Sequence, residues 1–146
     1  MLNAKRVFLA AAVALSVIGA IVIPVTKSKA APSGGNRVFE MRTYYTLPGR
    51  LDALNARFRD HTCGLFKKHG MDLVGFWTPR DEEKGKANTL VYLLAYPSRE
   101  AAKVSWKAFH EDEEWKKASK ESEKDGKIVE RVESVFLDPT DYSAIK

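Results

Sequence analysis

Cys63 is the single cysteine among the 146 residues, so no intramolecular disulfide can staple this fold and packing alone must hold it. No glycine-rich phosphate loop occurs, and neither does a His-Glu-x-x-His run or a paired-histidine spacing, which leaves nucleotide loops and zinc hydrolases without their signatures. The three histidines, His61, His69 and His110, are too scattered to suggest a metal site, and none is expected. The formal charge of +5 is concentrated at the N-terminus. Lys5, Arg6, Lys27 and Lys29 precede Ala31 with no acidic residue among them, and the rest of the chain is close to neutral. Nucleic-acid binding and a broad anionic-lipid face therefore have no support.

What is present begins with a leader. Lys5 and Arg6 are followed by an uncharged apolar run over residues 7–25, then by Lys27, Ser28, Lys29 and Ala30. That is the order of an export signal. The run is longer than the roughly 7 to 15 residues of a cleaved signal's apolar region and close to the roughly 20 that span lipid. Residues 1–30 thus fit either a cleaved signal peptide, with Ser28 and Ala30 before the cut, or a retained anchor. Membrane contact is expected through this segment alone, and the domain is expected to be periplasmic or otherwise extracytoplasmic. Residues 31–36, APSGGN, read as a linker, and 37–146 as one domain.

Within the domain, residues 38–45 alternate β-branched and aromatic positions and predict a strand. Apolar positions at Leu51, Leu54, Phe58, Thr62 and Leu65 predict a helix over 50–68, stopped by Gly70. Residues 73–78 and 89–96 predict two strands around a polar hairpin loop at 80–88. A second helical region opens at the cap Ser98, with a bend in the charged run before Trp115. Residues 128–137 alternate as a final strand. Strand, helix, strand, strand, helix, strand is the order of a ferredoxin-like α+β fold, βαββαβ with a four-stranded antiparallel sheet. Helices would cover one sheet face, yet both faces carry large hydrophobes: Phe39, Met41 and Tyr45 against Val38 and Tyr44, or Leu90, Tyr92 and Leu94 against Val91 and Leu93. A sheet-to-sheet homodimer would cover the second face.

Glu40-Met41-Arg42-Thr43-Tyr44, Pro48-Gly49-Arg50-Leu51, Phe58, His61, His69-Gly70, Gly75-Phe76-Trp77, Tyr92-Leu93, Trp106-Lys107-Ala108-Phe109 and Asp112-Glu113-Glu114-Trp115 occur in an order that resembles the NIPSNAP family. The resemblance covers the domain from Arg37 to Leu137. It implies a dimeric α+β barrel with a pocket between sheet and helices in each subunit, in a family with no generally established reaction. The family's mitochondrial associations are not carried over, because the leader lacks the Arg- and Ser-rich amphipathic character of a transit peptide. Glu113 stands where relatives usually have proline, which leaves the bend before Trp115 less fixed.

Arg42 and Tyr44 share a strand face, and a strand-centre arginine needs a carboxylate, a carbonyl or a ligand anion. Glu40 and Glu133 are the structural candidates. On the predicted helix His61 lies three after Phe58 and four before Leu65, on the side of Leu54, and so faces the core or a pocket under the sheet, either as a satisfied histidine or as a ligand partner and proton carrier. The functional expectation is that Arg42, Tyr44, His61 and Trp77 line one pocket for a small organic acid or carbonyl compound. Its leading form is a ligand-binding or interaction module. Its alternative is a cofactor-light monooxygenase or isomerase on a small hydrophobic acid, with Arg42 holding the anion and His61 moving the proton. No cofactor is expected; haem would need a pocket-facing histidine, for which His61 is the candidate. His69, at the helix end, reads as structural, and Cys63 as an apolar filler.

Overall fold

The computed structural model describes residues 37–146; the leader and linker expectations, residues 1–36, lie outside them. Strand β1 (Val38–Thr46) is an inner strand of the sheet, hydrogen-bonded to a neighbour along each of its edges. Helices α1 (Leu51–Arg57) and α2 (Cys63–Lys68) follow, joined through a π-helical turn at Phe58–Thr62. Strand β2 (Asp72–Trp77), strand β3 (Thr89–Tyr96), helices α3 (Arg99–Glu111) and α4 (Glu113–Ser122) and strand β4 (Val129–Leu137) complete the order. The sheet runs β2-β3-β1-β4, antiparallel throughout, which is the expected ferredoxin-like α+β arrangement. Among the described residues no helix is long and apolar enough to cross a membrane.

The core lies between the sheet and the helices. Leu54, Phe58, Leu65, Phe66 and Phe109 from the helices meet Leu90, Tyr92 and Leu94 of β3. Phe58 makes edge contacts with Tyr44, Phe66 and Phe76, and Phe66 lies 4.9 Å from Phe109 between ring centres. Such aromatic pairs add about 0.5–1.5 kcal/mol each beyond the area they bury.

Local chemistry fixes the element ends. Gly70 takes φ 76, the left-handed conformation that closes α2 as its sequence position predicts. The Ser98 hydroxyl accepts from the Ala101 amide at the start of α3. The bend before Trp115 is held without proline. Asp112 stands between α3 and α4 with extended backbone, and its Oδ1 accepts from the Glu114 and Trp115 amides at 2.8 and 3.4 Å. Its Oδ2 meets His69 Nε2 at 2.7 Å and Lys68 Nζ at 2.8 Å, tying the end of α2 to this corner. Those two partners hold the Asp112 carboxyl well below the usual aspartate range. His69 thus has the structural place expected of it.

Two one-residue insertions redirect side chains. In the π turn the Cys63 amide bonds to the Phe58 carbonyl, five residues back, and Thr62 Oγ1 donates to the Arg57 carbonyl at 3.2 Å. An extra residue in one turn rotates everything after it by about 100°. Thr62, at 1% exposure, takes the inward position and His61 is turned to solvent. In β2 a bulge between Leu73 and Gly75 shifts the register, so Leu73 pairs with Leu94 whereas Trp77 pairs with Val91. That moves Trp77 to the sheet face away from the helices, where it is 55% exposed.

The face away from the helices carries Phe39, Met41 and Thr43 of β1, Val91, Leu93 and Ala95 of β3, and Val135 and Leu137 of β4. Met41, Trp77, Val135 and Leu137 are exposed on it. The C-terminal residues cross one end of this face, where Arg37 Nε and Nη2 donate to the Lys146 carbonyl at 2.8 and 2.6 Å.

Candidate functional site

On the helix-covered face, alternation puts Glu40, Arg42 and Tyr44 side by side, opposite Phe136, Ser134 and Val132 of β4. Glu40 is 2% exposed and its carboxylate is fully engaged. Oε1 accepts from Arg42 Nη1 at 2.7 Å and from the Ser134 hydroxyl at 2.6 Å. Oε2 accepts from Trp106 Nε1 at 2.7 Å and from the Tyr96 hydroxyl at 2.9 Å. One buried carboxylate therefore joins three strands and α3. Burial pushes the Glu40 carboxyl up, but the bonds from Ser134, Trp106 and Arg42 together outweigh it and hold the pKa below the usual glutamate value. Arg42 stays protonated: burial opposes its charge, and Tyr92, Tyr44 and Glu40 more than offset that.

Arg42 also lies 4.2 Å from the centre of the Trp106 ring and 5.8 Å from that of Tyr44. His110, one turn beyond Trp106, stacks on it at 5.5 Å. Burial of the imidazole, together with the Arg42 charge, lowers the His110 pKa. Beside this cluster a cleft of about 420 Å³ opens between α3 and β4, lined by Glu40, Arg99, Glu100, Lys103, Trp106 and Phe136. The Arg99 guanidinium lies 4.4 Å over the Phe136 ring.

The four residues expected to share a pocket do not share one. Arg42 and Tyr44 are neighbours on the helix-covered face, as period-two alternation requires. Trp77 is on the opposite face because of the β2 bulge. His61 lies on the outer surface between α1 and α4, near Arg57, Asp60 and Glu121, because of the π turn. Among the described residues no group of three or more His, Cys, Asp or Glu side chains could hold a metal ion. Cys63 is half-buried, and burial pushes its thiol up, away from a reactive thiolate.

Tyr96 and Ser134 are cluster members with no signal in the sequence, whereas Trp106 belongs to the family motif and His110 is one of the three histidines. A four-residue spacing does put Trp106 and His110 on one face of α3. The bonds of Tyr96 and Ser134 depend on strand register, which no local pattern supplies.

Two polar atoms near the cluster, Arg42 Nε and the Tyr92 hydroxyl, are buried without a hydrogen-bond partner among the described residues, and their residues face each other across β1 and β3. Tyr92→Phe is therefore expected to leave unfolding stability unchanged or to raise it slightly, since it removes an unpartnered buried hydroxyl. Tyr96→Phe, which deletes a donor to a charged carboxylate, should lower stability by about 1.5–3 kcal/mol. Urea unfolding of both variants checks the pair, and equal losses would contradict the assignment.

A family model described as NIPSNAP matches residues 39–144. The fold is similar to three crystal structures. The first is an uncharacterized NIPSNAP-like domain protein from Burkholderia xenovorans (TM-score 0.64, 18% identity, covering 74% of this chain and 89% of that one). The second is an uncharacterized NIPSNAP domain protein from the same organism (0.61, 24%, covering 73% and 97%). The third is a NIPSNAP family protein with unknown function from Agrobacterium tumefaciens (0.66, 22%, covering 76% and 95%). No curated protein matches the chain.

Proposed function

Because the chain belongs to the NIPSNAP family, whose similar solved structures are described as uncharacterized or of unknown function, we propose that it is a small-ligand-binding and interaction module. Its ligand occupies the cleft between α3 and β4. The observation that carries this reading is the convergence of four donors on Glu40 in the cleft floor. Such a carboxylate is already satisfied and has no lone pair set aside to take a proton, so it makes a rigid floor for binding, not a general base. A monooxygenase or isomerase built on Arg42 and His61 needs those two side chains together, and His61 is directed to solvent on another surface.

The module works as a homodimer joined through the sheet face that carries Met41, Val135 and Leu137. Exposed apolar side chains on that face support this, since a patch of that kind is costly to leave in water. It acts outside the cytoplasm, a reading supported by Lys5, Arg6 and the apolar run over residues 7–25. Native mass spectrometry of the protein isolated gently from its own cells' envelope tests these statements together. A dimer carrying an added small-molecule mass is expected. A monomer with no added mass contradicts both the dimer and the ligand, and the subunit mass reports whether the chain begins at Met1 or near Ala31.

A further inference from the structure

The cleft is neutral in its floor and cationic at its mouth. Glu40 presents no uncompensated charge, because Arg42 pairs with it at 2.7 Å and three neutral donors complete its shell. Arg99 and Lys103 stand one turn apart on α3, both line the cleft, and among the described residues neither forms an ion pair. The acidic residue of the same wall, Glu100, is drawn to the start of α3, where a backbone amide and Ser98 lower its pKa. Counting Glu100, the mouth has one net positive charge. The apolar walls are Phe136 and Trp106, and Arg99 now rests over the Phe136 ring.

We propose that this cleft binds a small organic monoanion, a monocarboxylate with a planar apolar body. The inference rests on the reading of the cleft as the ligand site and adds the ligand's chemical class. The carboxylate accepts from Arg99, whose planar fork matches two carboxylate oxygens, and from Lys103. The apolar body lies along Phe136 and the edge of Trp106. One net charge suits a monoanion better than a phosphate dianion. A volume of about 420 Å³ is toward the small end of ligand sites, roughly 300–1,000 Å³, and suits a single ring or short chain, not a nucleotide-sized coenzyme.

The test uses the full-length chain and three probes: phenylacetate, its neutral isostere phenylacetamide, and inorganic phosphate. Binding is read by calorimetry and by the Trp106 indole N–H resonance. Phenylacetate is expected to shift that resonance, and both phenylacetamide and phosphate should bind at least ten-fold more weakly. The double variant R99Q/K103Q should weaken phenylacetate at least ten-fold with an unchanged melting temperature, since both side chains are exposed. Equal binding of the acid and the amide at Trp106 would overturn the charge assignment and leave the cleft standing as a ligand site. Undiminished phenylacetate binding by R99Q/K103Q, or tighter binding of phosphate, would overturn it too. Absence of any shift with phenylacetate would also overturn it, and the native mass of the cell-derived protein would then decide whether the cleft reading falls with it.

Discussion

Glu40→Ala is expected to cost the domain about 3–5 kcal/mol, the range for removing one partner of a buried ion pair. The cost arises from what is left behind. Arg42 remains under Trp106 with its charge uncompensated, and the donors of Trp106, Tyr96 and Ser134 lose their shared acceptor. Because small domains are stable by only about 5–15 kcal/mol, a large share of the variant is expected to be unfolded at moderate urea. Glu40→Gln separates charge from shape. Each carboxylate oxygen takes two donors, so the amide nitrogen must face two of them, and a loss on the order of 2 kcal/mol is expected. The same carboxylate gives the wild type an acid dependence. Its folded pKa lies below its unfolded value, so its stabilisation is fully present above about pH 4.3 and is lost as pH falls through the folded value. Glu40→Gln should therefore unfold with a flatter pH profile below about pH 4.3 than the wild type. Loss of less than 1 kcal/mol in Glu40→Ala would contradict the four-donor arrangement.

Val135→Glu is expected to convert the proposed dimer into a monomer with little effect on the subunit itself. Val135 pairs with Met41 in register, and both are exposed on the helix-free face, at 48% and 37%. Within one chain the new carboxylate stays in water, so the subunit's own stability should move by about 0.5 kcal/mol or less. In a two-fold sheet-to-sheet dimer it would be buried twice with no counter-charge. Burial of an unpaired charge costs several kcal/mol, so dimer affinity should fall by on the order of a thousand-fold or more. Sedimentation velocity of both proteins at micromolar concentration checks this. A monomeric wild type, or a variant that dimerises as tightly, would place the association elsewhere or remove it.

The order of elements was legible because period-two alternation in β1 and β4, the glycine after His69 and the cap at Ser98 are local signals, and the structure has each where those signals put it. Arg42 beside Tyr44 was legible for the same reason. His61 and Trp77 were not. His61 lies within the π turn and Trp77 just after the β2 bulge, and each element carries a single inserted residue. Composition marks neither insertion, and each shifts the phase of the side chains around it. Thr62, read as one of the helix's inward positions, is buried as expected, and the phase error falls on its neighbour. The Glu40 cluster was half legible. Glu40 stood as a structural partner for Arg42, but Tyr96, Trp106 and Ser134 reach it through tertiary contacts far along the chain.

The most direct test of a site built on a satisfied, ionised Glu40 is a carbon-13 NMR titration of its side-chain carboxyl, followed together with the Trp106 indole N–H. The account predicts that Glu40 titrates below the usual glutamate value and that the indole proton keeps its hydrogen-bonded shift until the carboxyl protonates. A Glu40 that titrates at or above that value, or an indole shift that does not follow it, would contradict the account and make the carboxyl available for proton transfer.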